Sequence, residues 1–338
     1  MTAPRVLIVD DSAFVRTVLA RVLKGTGEID VVGTARDGDD ALEQIAAHDP
    51  DIVTLDLNMP NRDGLEVLRE LRGRARPRVI IVSVSTIDST QAVEALALGA
   101  IDLVTKPSAL ATDRLYEISN ELTSKVLAVA PRAQPQPAEV VPAKHPGTLG
   151  DLVMIGTSTG GPQALTRVLA ALPGNLNAAV AIVLHIPVGF TEALARRLDK
   201  GSALEVIEAY DGVALTPGRA VLARAGMHLR VERVDDHYIG RLDPLPLQPH
   251  VPSVNELFAS GARAAGNRAI GVVLTGMGED GLSGAREIAA AGGSLVTESA
   301  STSVVYGMPR VVYEAGLGAT AKPIDQVAQE IVGRVRAR

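Results

Sequence analysis

Two groups of residues in this 338-residue chain have the types and spacing to do chemistry. The first is a glycine-bracketed serine, Gly156-Thr157-Ser158-Thr159-Gly160, entered from the apolar run Leu152-Val153-Met154-Ile155. Pro162 then opens a helical pattern, and proline is tolerated there because its missing N–H would be unpaired anyway. Ser158 is therefore expected in a sharp strand-to-helix turn, hydroxyl outward, beside N–H groups at a helix N-terminus. A serine nucleophile with an oxyanion site is built in this way. A phosphate cradle, or simply a tight glycine-rich turn, has the same local sequence.

A nucleophile needs a base and an orienting acid. His185 ends the apolar run Ala181–Leu184, a compact strand-helix-strand distance after Ser158. Of the 6 histidines, His48 lies on a predicted helix and His145 in a proline-rich stretch. His228, His237 and His250 fall in or near a hairpin-like region, which leaves His185 as the one placed to act as base. Asp280 lies in Gly276-Met277-Gly278-Glu279-Asp280-Gly281, after the strand-like Ala269–Thr275. Its carboxylate would fix the His185 tautomer while His185 takes the Ser158 proton. Backbone N–H groups near Thr159 and Met277 could meet the oxyanion. The order Ser, His, Asp differs from the Ser, Asp, His of an α/β-hydrolase, so the elbow-like pattern points to another fold. The Gly276–Gly281 loop also reads as G-x-G-x-x-G, with Glu298 placed for a ribose. Against a dinucleotide, Asp280 would repel a pyrophosphate.

The second group lies nearer the N-terminus: Asp10 and Asp11, Asp56, Ser83 and Lys106. Each follows or ends a strand-like run. Three carboxylates in one pocket repel each other unless a cation sits among them, and a partly hydrated Mg²⁺ suits such a set. Screened in this way, Asp56 could attack a phosphoryl group, with Ser83 and Lys106 holding the transferred oxygens.

Periodicity supplies the elements that must position these residues. Strand-like runs at Val6–Val9, Val31–Ala35, Ile52–Leu55, Val79–Val82 and Ile101–Thr105 alternate with helical patterns near 13–24, 38–48, 64–72, 88–98 and 110–128. Strict alternation predicts a parallel sheet with ligands at the carboxyl ends of its strands. We expect three segments: 1–128, a proline-rich tether over 129–149, and 150–338. The second folded segment is expected to be a doubly wound parallel sheet with a β-hairpin insertion. Arg72, Arg74, Arg76 and Arg78 read as a solvated connecting loop.

Composition narrows the chemistry. The absence of cysteine excludes disulfides, thiolate catalysis and Cys-ligated zinc. With 2% aromatic residues, the cores must be aliphatic. The net charge of -6 argues against a nucleic-acid partner. All of it belongs to residues 1–130, with 14 Lys+Arg against 20 Asp+Glu; the remainder has 19 of each. No signal-peptide pattern and no long uncharged apolar run is seen, so a cytoplasmic protein without membrane insertion is expected.

Residues 1–128 resemble the receiver domains of two-component response regulators. The likeness rests on Asp10-Asp11, Thr54-Leu55-Asp56-Leu57-Asn58-Met59-Pro60, Asp63-Gly64, Ser83 and Lys106-Pro107. It implies a flavodoxin-like (βα)5 fold and phosphorylation of Asp56 by a chemotaxis histidine kinase. It also implies Mg²⁺ held by Asp11, Asp56 and the Asn58 backbone carbonyl, with Asp10 assisting. Leu103 stands where many receivers carry an aromatic switch residue.

Residues 150–338 resemble the catalytic domain of chemotaxis receptor protein-glutamate methylesterases. The likeness rests on Ile155–Gly161, His185-Ile186-Pro187, Gly189-Phe190-Thr191, Asp211-Gly212, Pro217-Gly218, Pro252-Ser253-Val254, Leu274–Gly281 and Gly307-Met308-Pro309-Arg310. It implies hydrolysis of glutamyl methyl esters on methyl-accepting chemotaxis receptors, releasing methanol, and often glutamine deamidation. The esterase step needs no cofactor. It further implies that the unphosphorylated receiver blocks the esterase face. Val251, Asn255 and Ile186 depart from the frequent Arg, Asp and Met. A phosphorylation-gated DNA-binding output would need a basic recognition helix, which the second segment lacks. A degenerate esterase acting as a receptor adaptor would lack the complete Ser, His, Asp set.

Overall fold

The structure, a computed structural model, describes residues 3–74, 76–84, 89–106, 112–130 and 150–336. The chain divides into two units, Met1–Ala133 and Gln134–Arg338. Most of the expected tether, 131–149, lies outside the described residues, as does Pro107.

The first unit alternates strand and helix throughout: β1 (Arg5–Val9), α1 (Ala13–Gly25), β2 (Asp30–Ala35), α2 (Gly38–His48), β3 (Ile52–Leu55), α3 (Gly64–Leu71), β4 (Arg78–Val84), α4 (Ser89–Leu98), β5 (Asp102–Lys106) and α5 (Thr112–Val129). Its strands form one parallel sheet in the order β2-β1-β3-β4-β5, the flavodoxin-like fold. Val6, Leu7 and Ile8 of β1 and Ile52, Val53 and Leu55 of β3 are fully buried. Helices on both faces of a parallel sheet demand such continuous apolar runs. The first helices begin where local chemistry dictates. The Ser12 and Asp37 side chains cap α1 and α2, and Asp63 with Glu66 forms a capping box on α3.

The second unit begins with β6 (Asp151–Thr157), α6 (Gly161–Ala171), β7 (Ala178–Leu184), α7 (Thr191–Lys200), β8 (Glu205–Glu208), β9 (Val213–Leu215) and β10 (Arg219–Leu222). The hairpin β11 (His228–Val234) and β12 (His237–Asp243) follows, then α8 (Val254–Ala265), β13 (Ala269–Val273) and α9 (Leu282–Ala290). The unit closes with β14 (Ser294–Glu298), α10 (Met308–Glu314), β15 (Thr320–Lys322) and α11 (Ile324–Arg336). Seven strands make a parallel sheet, β15-β14-β13-β6-β7-β10-β8, while β11, β12 and β9 form a separate antiparallel sheet. The expected hairpin insertion is therefore present, joined by β9.

β6 is the centre of the large sheet. The chain leaves it on one side to β7 and returns on the other at β13. That reversal opens a crevice at the carboxyl ends of these strands, where ligands bind in doubly wound sheets. Every residue of β6 and β7 is buried. α8 presses directly on β6: a Cβ on Gly261 would lie 2.1 Å from Met154 Sδ. A Cβ on Gly156 would lie 2.3 Å from Val254 Cγ1, so the start of α8 is packed against the carboxyl end of β6. Among the described residues no helix is long and apolar enough to cross a membrane.

Candidate active site and phosphoacceptor pocket

Ser158 follows β6, His185 follows β7, and the Asp280 loop follows β13, so all three stand at the switch point. His185 Nε2 is 2.8 Å from Asp280 Oδ2. Asp280 does not hang from its loop alone. Its carboxylate accepts the Val254 N–H (2.7 Å), the Asn255 N–H (3.0 Å) and the Ser253 hydroxyl (2.9 Å). These groups are the first turn of α8, and a helix N-terminus with unpaired N–H groups favours an anion. Burial pushes the Asp280 carboxyl up. The His185 bond and charge outweigh it, helped by the Val254 and Asn255 N–H groups, and hold the carboxyl at about 2. It is therefore ionised at neutral pH.

With Nε2 on Asp280, the remaining ring nitrogen, Nδ1, is the one available to a proton. It is buried and has no hydrogen-bond partner among the described residues. The Ser158 N–H donates to the Thr275 carbonyl (3.0 Å), and the Thr157 hydroxyl donates to the same oxygen (2.7 Å). The Thr275 hydroxyl in turn donates to the Thr159 carbonyl (2.9 Å). The serine turn and the Asp280 loop are thus tied at Thr275. The Thr159 and Met277 N–H groups make no backbone hydrogen bond among the described residues, as an oxyanion donor requires.

Close approach, rather than a hydrogen bond, sets the last spacing. A Cβ on Gly276 would meet Met308 Sδ at 2.4 Å and Ser158 Cβ at 2.9 Å. Methionine can move; Ser158, fixed by its backbone, moves at the expense of its aim. Gly276→Ala is expected to lower kcat/KM about 10- to 100-fold, the scale for misplacing a reacting group by a fraction of an ångström to one ångström. An unchanged kcat/KM in a steady-state methanol-release assay would refute the packing argument.

Four residues outside the expected site set, Ser253, His228, His250 and Asn255, shape this site. Ser253 carries a hydroxyl to Asp280, and its own N–H donates to His228 Nδ1 (3.1 Å). His228 is completely buried. His250, set aside by sequence as part of a hairpin-like region, stacks on His185 with ring centroids 4.0 Å apart and planes 12° apart. The signal for Ser253 was legible: Ser at the cap of a helix pattern beginning at Val254 predicts an anion-ready terminus. No local signal marks His250. Asn255 stands where the resemblance led to an expected Asp, and its contacts suit an amide. Its Oδ1 accepts the N–H groups of Gly281 (2.9 Å) and Gly284 (3.0 Å) at the start of α9. The amide keeps that acceptor without adding a second negative charge beside Asp280.

The dinucleotide reading has no support here. The Glu298 carboxylate accepts the Thr275 N–H (2.8 Å) and the Thr302 hydroxyl (2.9 Å). Its side chain is a structural brace; burial pushes its carboxyl up against those bonds.

In the first unit, Asp10, Asp11 and Asp56 each bring a carboxylate oxygen within 4.8 Å of the others. Lys106 Nζ bridges Asp10 (2.6 Å) and Asp56 (2.6 Å), and the Ser83 hydroxyl donates to Asp56 (2.8 Å). The Asn58 N–H approaches Asp56 Oδ1 at 3.4 Å. Burial pushes the Lys106 ammonium down, but the Asp56 and Asp10 carboxylates outweigh it and raise it. Burial pushes Asp10 up, with Lys106 opposing and Asp56 adding. One ammonium does not balance three carboxylates. Leu103 is buried on β5, and its carbonyl accepts from the Lys125 ammonium at 2.8 Å. Of the arginine run, Arg76 pairs with Asp51 at 2.9 Å and Arg78 bonds the Val129 carbonyl, so half of it is tied to the fold.

A phosphoacceptor-type pocket on a flavodoxin-like unit, ahead of an α/β unit with a serine turn and a His-Asp pair, defines a response regulator with a hydrolytic output. Residues 153–331 match the CheB methylesterase family and residues 6–118 the response regulator receiver domain. The chain belongs to the CheB methylesterase family, and it is a hydrolase joined to a receiver domain. It is 54% identical over 330 residues, 95% of each chain, to protein-glutamate methylesterase/protein-glutamine glutaminase 5 of Myxococcus xanthus. It is 39% identical to a relative of the same designation from Oleidesulfovibrio alaskensis, covering 98% of this chain and 99% of that one. The crystal structure of the Thermotoga maritima CheB methylesterase catalytic domain matches with a TM-score of 0.54 and 35% identity, over 55% of this chain and 98% of that one.

Proposed function

We propose that this chain hydrolyses glutamyl methyl esters on the cytoplasmic segments of methyl-accepting chemotaxis receptors, and deamidates receptor glutamines at the same site. The observation that carries the mechanism is the His185–Asp280 pair anchored on the α8 terminus, with Nδ1 left over. The Ser158 Oγ attacks the ester carbonyl as its proton passes to His185 Nδ1. Thr159 and Met277 N–H groups receive the oxyanion. The C–O bond to methoxide breaks, and Nδ1 returns the proton so that methanol leaves. Water then gives its proton to Nδ1 and attacks the acyl-enzyme, releasing glutamate and Ser158. With a glutamine substrate, ammonia leaves in place of methanol. Incubating the phosphorylated chain with methylated receptor fragments from the same cell should release methanol. No release from any fragment would defeat the substrate assignment.

The first unit would control that step. Asp56 attacks the phosphorus of a kinase phosphohistidine, and the P–N bond breaks. Ser83 and Lys106 lie where they can turn from Asp56 to the transferred oxygens. The unbalanced oxygen-only cluster fits Mg²⁺, with Asp11, Asp56 and the Asn58 backbone carbonyl as ligands and Asp10 assisting. Bound there, Mg²⁺ would neutralise the carboxylates and the incoming phosphoryl oxygens.

Two outcomes are expected. MgCl2 at ten times its Kd should stabilise the first unit by about 1.4 kcal/mol, read as a rise in Tm, and Asp11→Asn should remove the rise. Asp56→Asn should abolish both phosphate incorporation and the stimulation of methanol release by a small acyl phosphate. A normal response in that variant would break the control assignment.

A further inference from the structure

We propose that His250 is a positioning residue for the esterase reaction: its imidazole lies flat on His185 and holds the plane of that ring. The inference rests on His185 being the base, as proposed above.

A histidine base has to present one nitrogen to its acid and the other to its nucleophile in one plane. The bond from Nε2 to Asp280 (2.8 Å) secures only one point of the ring. The terminal torsion of histidine is broad, so a ring held at one nitrogen can still tilt and carry Nδ1 away from the serine turn. Catalytic groups need to stay within about 10–20° of the productive geometry. A second ring 4.0 Å away and inclined by 12° blocks tilting toward its side. It also keeps water off that face of the base.

The stack is built rather than incidental, although His250 itself is exposed. The segment that carries it, between β12 and α8, is fastened along its backbone. Arg230 donates to the Leu245 carbonyl (2.8 Å), and the Gly226 N–H to the Val251 carbonyl (3.0 Å). The fully buried His228 fastens it twice more. Its Nδ1 accepts the Ser253 N–H (3.1 Å), so its Nε2 carries the proton and donates to the Pro246 carbonyl (2.9 Å). His250 sits between these fastenings. The same segment ends in Ser253, whose hydroxyl holds Asp280. One anchored strap therefore supplies a support for each of His185 and Asp280.

The test compares His250→Ala, His250→Phe and Ser158→Ala in the full chain, treated with a small acyl phosphate and assayed on methylated receptor fragments. An aromatic stack is worth roughly a three- to tenfold factor in an equilibrium or rate. His250→Ala should lower kcat by about that factor with KM unchanged, and slow fluorophosphonate labelling of Ser158 in parallel. His250→Phe, which keeps a flat ring and loses the nitrogens, should recover kcat to within about twofold. A Tm within about 2 °C of wild type in both variants shows that the fold is kept. An unchanged kcat in His250→Ala, a change confined to KM, or a Phe variant as slow as Ala would each overturn the inference. Those results, with Ser158→Ala inactive, leave the catalytic reading standing. A Ser158→Ala variant at the wild-type rate would overturn both.

Discussion

Ser158→Ala is expected to lower kcat for methyl-ester hydrolysis about 10⁴- to 10⁶-fold while leaving the Tm within about 1 °C. The catalytic half follows from chemistry. Removing the nucleophile of a Ser-His-Asp set costs about as much as removing all three members, because they act as a unit. What survives is the oxyanion site and binding, roughly 10³–10⁴ over water. The structural half follows from the bonds. Ser158 holds its place through its backbone: its N–H donates to Thr275 (3.0 Å) and its carbonyl accepts the Gly161 N–H (2.7 Å). Ser158 is half-buried and its hydroxyl makes no hydrogen bond among the described residues, so deleting it strands no partner. A variant that kept more than a tenth of wild-type kcat would remove Ser158 as nucleophile. A variant that lost many degrees of Tm would mean the hydroxyl also braces the turn.

Most of the frame around Ser158 was legible because it depends on local rules. Apolar runs closed by Asp, Gly or His marked the carboxyl ends of β1, β3, β6 and β7 to within a few residues. The residues at those ends are the ones the parallel sheet brings together. β8, β9 and β10 were not read, being only 4, 3 and 4 residues long. Runs that short give no period to detect, and unlike the equally short β3 they do not alternate with helices that would mark them. His250 illustrates a deeper limit. It stacks on a residue 65 positions earlier through a segment with no regular structure, pinned by His228, Gly226 and Arg230. Nothing in its own neighbourhood encodes that partner. The choice of Nδ1 over Nε2 was also invisible, since it follows from where α8 points Asp280.

Asp280→Asn, the smallest change available to the triad, is expected to cost about 10³- to 10⁴-fold in kcat, with KM little moved. The amide is nearly the same shape, so the effect must come from hydrogen-bond polarity. Both carboxylate oxygens face backbone donors that cannot reverse: Val254 N–H on Oδ2 and Asn255 N–H on Oδ1. An amide satisfies one and presents N–H to the other. If its oxygen stays toward Val254, the Asn255 N–H loses its acceptor and His185 loses the charge that stabilises its imidazolium. If its nitrogen turns that way, His185 Nε2 must accept, Nδ1 becomes protonated, and the base is blocked. Neither arrangement restores activity. Stability should fall as well, by about 1–3 kcal/mol for a stranded buried donor.

The pH dependence separates charge from shape. The Asp280 carboxyl titrates at about 2 in the fold against an ordinary 3.8. A depressed carboxylate value means the native state favours the ionised form. The stabilisation is complete above the ordinary value and is lost as pH falls from about 4 to about 2. The gap in urea midpoint between wild type and Asp280→Asn should therefore be constant from pH 7 to 5 and narrow below pH 4. A gap that stayed constant from pH 7 down to pH 2 would show that the carboxylate charge is not its source.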